Sequence, residues 1–558
     1  MPGVGYSLVD TCAKLCIKIR VSWNTSISRS GGVVSIFEGA PESSRKVFFV
    51  SLNKPLLLCA VLLPVLFALG CGSNGSSVTG PYSVSSLNGT YVMRMSGRDS
   101  FIDSNNNLQS ESYTETLIFT ADGAGNLTGT EDFNSDLPAV GFTSGNSFVG
   151  TYNIGKDGNG FMQINFTSPS TGQLNFSITL ASTTKFYAAE ADAFSNFSAN
   201  AAGEGVKQDT NAIASAPTGT FVMRAHQVLP ATVSSATVGA ITSTNGTTVT
   251  GTIDVLRDDV LLPQLSLTSA TFTAPDSSGR GTLVYTDTAS PPVTTAYKYY
   301  IINANTFWLM GSDSTLLGTG SAEKQGNGSL TLAGNYVFGS SGDTDAFIGG
   351  VRSVGVFTAG GGTIDGGTLD SVRDGTSTFN QAFTGTYTQD ANGRVEVTLV
   401  PTGGAAIPEI FWMVNPSRAF FLVASTNKVE DGTIDMQQQT TFAQTDLKSQ
   451  FGYALVMDGY NSSNFLTRIG TLFADGNGNL DLVEEANSFV FDSLPGLIND
   501  PGTLSGNYQV RSDGRVEAAV STLSSNLILY MVGPGQAYIL QNDPDVEISG
   551  QVTLQSSP

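Results

Sequence analysis

Between residues 89 and 555 the chain writes one pattern four times. Each copy opens on glycine followed closely by an aromatic residue: Gly89 in LNGTYVMRM, Gly219 in PTGTFVMRA, Gly334 in LAGNYVFGS and Gly452 in SQFGYALVMDG, the last one residue tighter. Each closes on glycine, four residues, then glutamine: Gly203 with Gln208, Gly320 with Gln325, Gly432 with Gln437, and Gly550 with Gln555. Successive closing glutamines are 117, 112 and 118 residues apart. That length suits a small autonomous domain and disfavours a solenoid, whose units run to about 20–45 residues.

Within a copy the landmarks recur in order. A turn follows the second apolar run (FTADGAGNLTGTED, TSTNGTTVTGTID, FTAGGGTIDGGTLD, LFADGNGNLDLVEE), and a second Gly-rich turn comes later in GKDGNG, DSSGRG, DANGR and RSDGR. Asp-Gly and Asn-Gly supply the positive φ that tight hairpins need, so these are hairpin tips. In the opening run Tyr91, Met93 and Met95 alternate with Thr90, Val92 and Arg94, and Phe221, Met223 and Ala225 alternate with Val222 and Arg224. A period of two puts such sets on opposite faces of a strand. The aromatic pairs Phe186/Tyr187, Phe307/Trp308 and Phe420/Phe421 should likewise send one ring to the core and one outward or toward a neighbouring repeat.

The expected class is therefore all-β: four tandem antiparallel repeats of about eight strands each, as small closed barrels that remove exposed edges. A β-sandwich per copy is the alternative, and a propeller with two blades per copy a further one. The repeats are placed at 87–209, 217–326, 331–438 and 447–557.

The order of landmarks, a Gly-Thr-aromatic opening, an Ala-Asp-Gly hairpin, a Gly-Thr-Tyr strand and a Gly-rich hairpin, resembles the up-and-down barrels of the avidin and lipocalin style. The resemblance implies a topology and carries no binding residues. Tryptophans supply ligand contacts in such barrels, and beyond residue 71 this chain has Trp308 and Trp412.

Ahead of the repeats, PLLLCAVLLPVLFALG at 55–70 has no charge and follows Arg45, Lys46 and Lys54. It falls short of the about 20 apolar residues that span a bilayer and has the layout of a secretory signal. Ala68-Leu69-Gly70-Cys71 resembles the lipobox of bacterial lipoproteins, with the usual order of its first two residues exchanged. The resemblance implies cleavage before Cys71 and diacylation of its thiol, and Gly72 after it resembles cargo sent to the outer membrane. A retained membrane anchor with Cys71 buried at its end is the other reading. On this account 1–44 is a non-structural leader, 45–70 a signal peptide and 71–86 a lipidated flexible linker, and the protein is exported to the bacterial envelope, facing the periplasm or the surface.

Composition narrows the function. At 40% hydrophobic and 13% charged the chain is apolar enough to fold. Residues 1–70 hold seven of the 26 basic and three of the 47 acidic residues, leaving 19 basic against 44 acidic beyond them, so a phosphate backbone is repelled and nucleic acid is not an expected partner. The cysteines are Cys12, Cys16, Cys59 and Cys71, and His226 is the single histidine. The repeats thus hold no disulfide, thiolate metal site, cysteine nucleophile or histidine triad, no catalytic residue is singled out, and no cofactor is expected.

Three copies carry paired aspartates past the first hairpin: Asp132 and Asp136, Asp254 and Asp258, Asp370 and Asp374, with Glu484 and Glu485 in the fourth. Arg257 and Arg373 lie between the partners of two pairs, which suggests a strand end fixed by a local ion pair. A weak calcium site per repeat is the sharper reading. The leading function is a non-catalytic envelope module for structure, adhesion or capture of a ligand, glycan or protein. A carrier of small apolar molecules inside the barrels is the alternative, and a polysaccharide hydrolase using paired carboxylates comes third.

Overall fold

The computed structural model describes residues 80–557 except 104, 139, 170, 229–233, 258–259, 313–315, 345–349, 374, 425–427, 462–463, 491–492, 494–496, 522 and 524–525. Cys71, the signal-like run, Asp258 and Asp374 lie outside the described residues.

The alternation seen in the sequence becomes barrel wall. In barrel 1, β1 (Asn88–Ile102), β2 (Leu108–Asp122), β3 (Asn126–Ser135), β4 (Thr143–Ile154), β5 (Asn159–Ser168), β6 (Gly172–Leu180), β7 (Lys185–Ala193) and β8 (Phe197–Lys207) pair in sequence order, and β1 returns to β8. Barrel 2 runs from β9 (Gly219–Val228) to β16 (Leu317–Lys324), barrel 3 from β17 (Gly334–Thr344) to β24 (Lys428–Met436), and barrel 4 from β25 (Tyr453–Asn461) to β32 (Val546–Leu554). All four are closed, antiparallel and eight-stranded, so the sandwich and propeller alternatives fall away.

Each barrel buries its own core. Tyr91, Met93 and Met95 point inward with Phe119, Phe148, Phe176 and Phe186 in barrel 1, and Phe221, Met223 and Ala225 do the same in barrel 2. One end of the barrel is closed by the segment ahead of the opening strand. In barrels 1, 3 and 4 a tyrosine hydroxyl donates to a leucine carbonyl of that segment: Tyr152 to Leu87, Tyr387 to Leu332 and Tyr508 to Leu447, at 2.6–2.7 Å.

The outward residues are buried as well, because the barrels pack in a closed cycle. Val92 and Ile118 of barrel 1 meet Tyr300, Trp308 and Met310 of barrel 2. Val222, Val238 and Leu256 of barrel 2 meet Trp412, Phe420 and Leu422 of barrel 3. Val337 and Val354 of barrel 3 meet Ile528, Tyr530 and Tyr538 of barrel 4, and Ala454 and Ile469 of barrel 4 meet Tyr187 and Ala189 of barrel 1. In each aromatic pair singled out above, one ring enters the core and the other this seam.

The closing motif explains how the cycle holds. A Cβ on Gly203, Gly320, Gly432 or Gly550 would lie 1.8–2.4 Å from a carbonyl oxygen of the opening strand, so only glycine lets the last strand return. Five residues on, the glutamine backbone N–H donates to its own barrel, Gln208 to Thr90, Gln325 to Thr220, Gln437 to Asn335 and Gln555 to Gly452. Its side-chain Nε2 reaches the next barrel: Gln208 to Ser278 and Ile301 carbonyls, Gln325 to Asn392 and Met413, and Gln437 to Asp513 and Met531. Gln555 makes the same contact with Asp157 and Leu180 of barrel 1, at 2.8 and 2.9 Å. The acceptor hairpins turn at Gly158, Gly279, Gly393 and Gly514, all at φ of 83–90°, and a Cβ there would crowd that Nε2.

Gln555→Ala strips two carbonyls of their donor and should lower urea stability by about 1–3 kcal/mol, as much as Gln325→Ala. A chain whose fourth and first barrels did not touch would lose nothing through Gln555→Ala.

Candidate functional site

The paired aspartates resolve into seams. Asp132 of barrel 1 receives Arg280 of barrel 2 at 2.7 Å and the Tyr300 hydroxyl at 2.7 Å. Asp254 receives Arg394 at 2.8 Å and the Trp412 indole N–H at 2.7 Å, and Asp370 receives Arg515 at 2.7 Å and the Tyr530 hydroxyl at 2.6 Å. The guanidinium set against Asp132, Asp254 and Asp370 comes in each case from the following repeat. These carboxylates, at most 1% exposed, have their oxygens taken by protein donors. Asp136 accepts the backbone N–H of Ser112. In the fourth copy Glu484 pairs with Arg468 inside barrel 4, and Glu485 accepts the Ser177 hydroxyl of barrel 1. At the position of the three seam arginines barrel 1 carries Asn159, which accepts Thr471 of barrel 4.

Where the four barrels meet, their opening and closing strands line a cavity of about 340 Å³ that shares Arg94, Glu204 and Arg224 with a second of about 620 Å³. Several of the charges around these cavities pair with one another. Arg94 pairs with Glu204 at 2.8 Å and lies 4.4 Å over the Trp308 ring, Lys185 reaches Glu204 at 3.0 Å, and Arg224 reaches Asp431 at 3.0 Å. His226, the single histidine, lines the first cavity with Nδ1 2.7 Å from Asp431. Burial by itself would raise the Glu204 carboxyl, but Lys185 and Arg94 outweigh it and hold the group well below the usual carboxylate range.

A different environment fills the far end of barrel 1, where β1 turns into β2, β5 into β6 and β7 into β8. A cavity of about 290 Å³ there is lined by Asp99, Glu111, Glu115, Glu131 and Glu190, by Tyr113 and Asn146, and by Phe101, Phe133, Phe166, Leu174 and Phe197. Among the described residues no lysine, arginine or histidine lines it. Asp192 lies beside Glu190. The carboxyls meet in pairs, Asp99 with Glu111, Glu115 with Glu131 and Glu190 with Asp192. Hydroxyls of Ser135 and Tyr113 donate to Glu111 and Glu190, and the Asn146 amide donates to Glu131 at 3.0 Å. Glu115 is 1% exposed, and neither of its oxygens has an N–H or hydroxyl donor; Asp99 Oδ1 has none either. For Glu115 the carboxyl of Glu131 is the hydrogen-bonding neighbour.

Burial first, and like charge second, drive these groups toward the neutral form. Asp99, Glu115 and Glu190 are raised well above the ordinary range. Burial also raises Glu131, lifts Glu111 to about 7 and lifts Asp192 to about 6, each opposed by hydrogen bonds to the ionised form.

The other barrels do not repeat this arrangement. Glu115 stands four residues before Phe119, the partner of the opening tyrosine, and Glu131 pairs with the residue between them. The same count gives Thr237 and Ile253 in barrel 2, Ser353 and Leu369 in barrel 3, and the ion pair of Arg468 with Glu484 in barrel 4. Barrel 1 therefore has the acid without the base. Sequence reasoning missed this group. The available signal was QSESYTETLIF, in which Glu111, Tyr113, Glu115 and Leu117 share one strand face.

No family model matches the chain, and none of the curated proteins does. Among solved structures, the intact Ap-TbpB with its N and C lobes is 9% identical, with 66% of this chain and 81% of that one covered at a TM-score of 0.15. A double mutant of Transferrin Binding Protein B from Haemophilus parasuis Hp5 is 9% identical, with 62% and 75% covered at a TM-score of 0.17. Likeness at this level carries no argument about what this chain does.

The carboxyl cluster makes stability depend on pH in a stated direction. A carboxyl raised on folding contributes stability that is complete below its unfolded value of about 4.3 and is lost as pH rises through its folded value, here about 7 for Glu111. Glu111→Gln should match the wild type at pH 4 and exceed its stability at pH 8 by on the order of 2 kcal/mol. Denaturant titrations at both pH values check this; a wild type that gains on the variant as pH rises would reverse the sign.

Proposed function

We propose that the protein is an exported lipoprotein acting as a non-catalytic, ligand-capturing module of the bacterial cell envelope. On this reading the signal at 45–70 is removed, Cys71 carries the acyl chains, and the linker at 71–86 holds the four barrels at the outer membrane. Acyl chains contribute about 0.8 kcal/mol per buried CH₂, so several chains on one thiol make a durable tether without a spanning helix.

The observation that carries the capture reading is the interior of barrel 1. Its cavity holds a cluster of carboxyls at positions where the sister barrels carry hydroxyl, apolar or ion-paired side chains. Apart from the carboxyl pairs themselves, no N–H or hydroxyl donor reaches the Glu115 oxygens or Asp99 Oδ1, and a bound molecule that donates hydrogen bonds would complete them. The scaffold role belongs to the seams and to the other barrels.

Converging carboxyls also bear on the hydrolase reading. Glycosidases hold their two acids about 5–10 Å apart, with room for a sugar and a water between them. In barrel 1 the carboxyls touch within each pair, which suits shared protons and binding better than hydrolysis.

Two measurements test the proposal. Mass spectrometry of protein extracted from membranes should find Cys71 N-terminal and diacylated; an unmodified Cys71 with Leu69 and Gly70 attached would remove the anchor. Native mass spectrometry should find one small molecule retained per chain and lost in Glu115→Gln, and a chain carrying none would remove the capture role.

A further inference from the structure

We infer that the cavity of barrel 1 receives a small organic ammonium ion that still bears N–H donors, with its nitrogen against the Glu115 carboxyl and its hydrocarbon part against Phe133, Phe166 and Phe197. This rests on reading barrel 1 as the capturing barrel and names the chemical class of what it captures.

Each part of the inference answers to a separate feature. Among the described residues the lining holds five carboxyl groups and no basic side chain, so the complementary guest is a cation. Glu115 is buried with both oxygens lacking any N–H or hydroxyl donor, and Asp99 Oδ1 is in the same state. A guest that donates hydrogen bonds satisfies these atoms, whereas a quaternary ammonium presents only methyl groups to them. The remaining wall is aromatic and aliphatic, from Phe101, Tyr113, Phe133, Phe166, Leu174 and Phe197. Ring faces attract an ammonium group and shelter a hydrocarbon body, which a hydrated metal ion lacks. Among the described residues no three carboxylate, histidine or cysteine side chains converge as a metal ion requires. The volume of about 290 Å³ suits a molecule of modest size.

Binding has a proton signature. The titratable groups facing the cavity are Asp99 from β1, Glu111, Tyr113 and Glu115 from β2, Glu131 from β3, and Glu190 with its neighbour Asp192 from β7. Burial holds the carboxyls toward the neutral form. An arriving ammonium ion favours ionisation of the carboxyl it contacts, and the proton leaves to solvent. No covalent bond is made or broken.

The test is calorimetry on the full chain in detergent at pH 7, with 2-phenylethylammonium as the probe. The comparison probes are 2-phenylethanol, which has the same body without charge, tetramethylammonium, which has charge without N–H, and calcium ion. The expected result is binding of the amine at least tenfold tighter than of the alcohol or of tetramethylammonium. Its heat should vary with the ionisation enthalpy of the buffer, as proton release requires, and Glu115→Gln should weaken it at least tenfold while thermal melts show that variant folded. Equal binding of the alcohol overturns the charge, equal binding of tetramethylammonium overturns the N–H donors, and a response to calcium alone replaces the amine with a metal ion. If no probe binds but the native chain retains another small molecule that Glu115→Gln releases, the ammonium class falls and the capture reading stands. If no probe binds and nothing is retained, both fall.

Discussion

A carboxylate buried in an apolar seam is stable only if a cation and further donors are buried with it, and three of the four seams are built on that constraint. Asp132, Asp254 and Asp370 are each enclosed by one barrel and neutralised by an arginine of the next, with a tyrosine or tryptophan of that barrel also donating to the carboxylate. Neither barrel of a pair can bury its side of the seam alone, since a lone charge would remain in low dielectric. The barrels therefore close their sheets independently while their outer faces depend on their neighbours. The fourth seam differs. Between barrels 4 and 1 Glu485 accepts the Ser177 hydroxyl and Asn159 accepts the Thr471 hydroxyl, and the Gln555 amide supplies the contact that the other seams share. A head-to-tail interface repeated at one rotation either closes or runs on as a filament; here the fourth step returns to the first barrel.

Such an arrangement separates support from function. With cores, lids, latches and seams repeated around the cycle, one copy can depart from the common interior without loss of the whole. Barrel 1 departs most. Where barrel 4 balances Glu484 with Arg468, barrel 1 sets Glu115 beside Glu131 and adds Asp99, Glu111 and Glu190 around one cavity. The cavity where the four barrels meet also gathers charges, and there Arg94 and Lys185 pair with Glu204, and Arg224 with Asp431.

The extent to which the sequence was legible follows the range of the interactions. Hairpin glycines and strand alternation act over two to ten residues, so strand number and the inward set of Tyr91, Met93 and Met95 could be read directly. Paired rings such as Phe307 and Trp308 placed one ring in the core for the same reason and left the other outward or toward a neighbouring repeat. The recurring aspartates were visible too, yet the nearest arginine in sequence was not the one the structure sets against Asp254 or Asp370, because those partners lie 140 and 145 residues away. The carboxyl cluster was harder still. Glu115 and Glu190 belong to different strands, and each looks like any acidic residue of a strongly acidic chain until the closed sheet turns both to the same interior.

The sequence by itself determined that this chain makes four copies of one antiparallel, eight-stranded unit, because local turn chemistry and a period of two leave little else for such segments to do. Tertiary structure alone decided that the units form a closed cycle, that their aspartates face arginines of the next copy, and that the acids of barrel 1 share one cavity. Those outcomes rest on contacts between residues far apart in the chain, which depend on curvature, register and packing angle, and no local pattern encodes them.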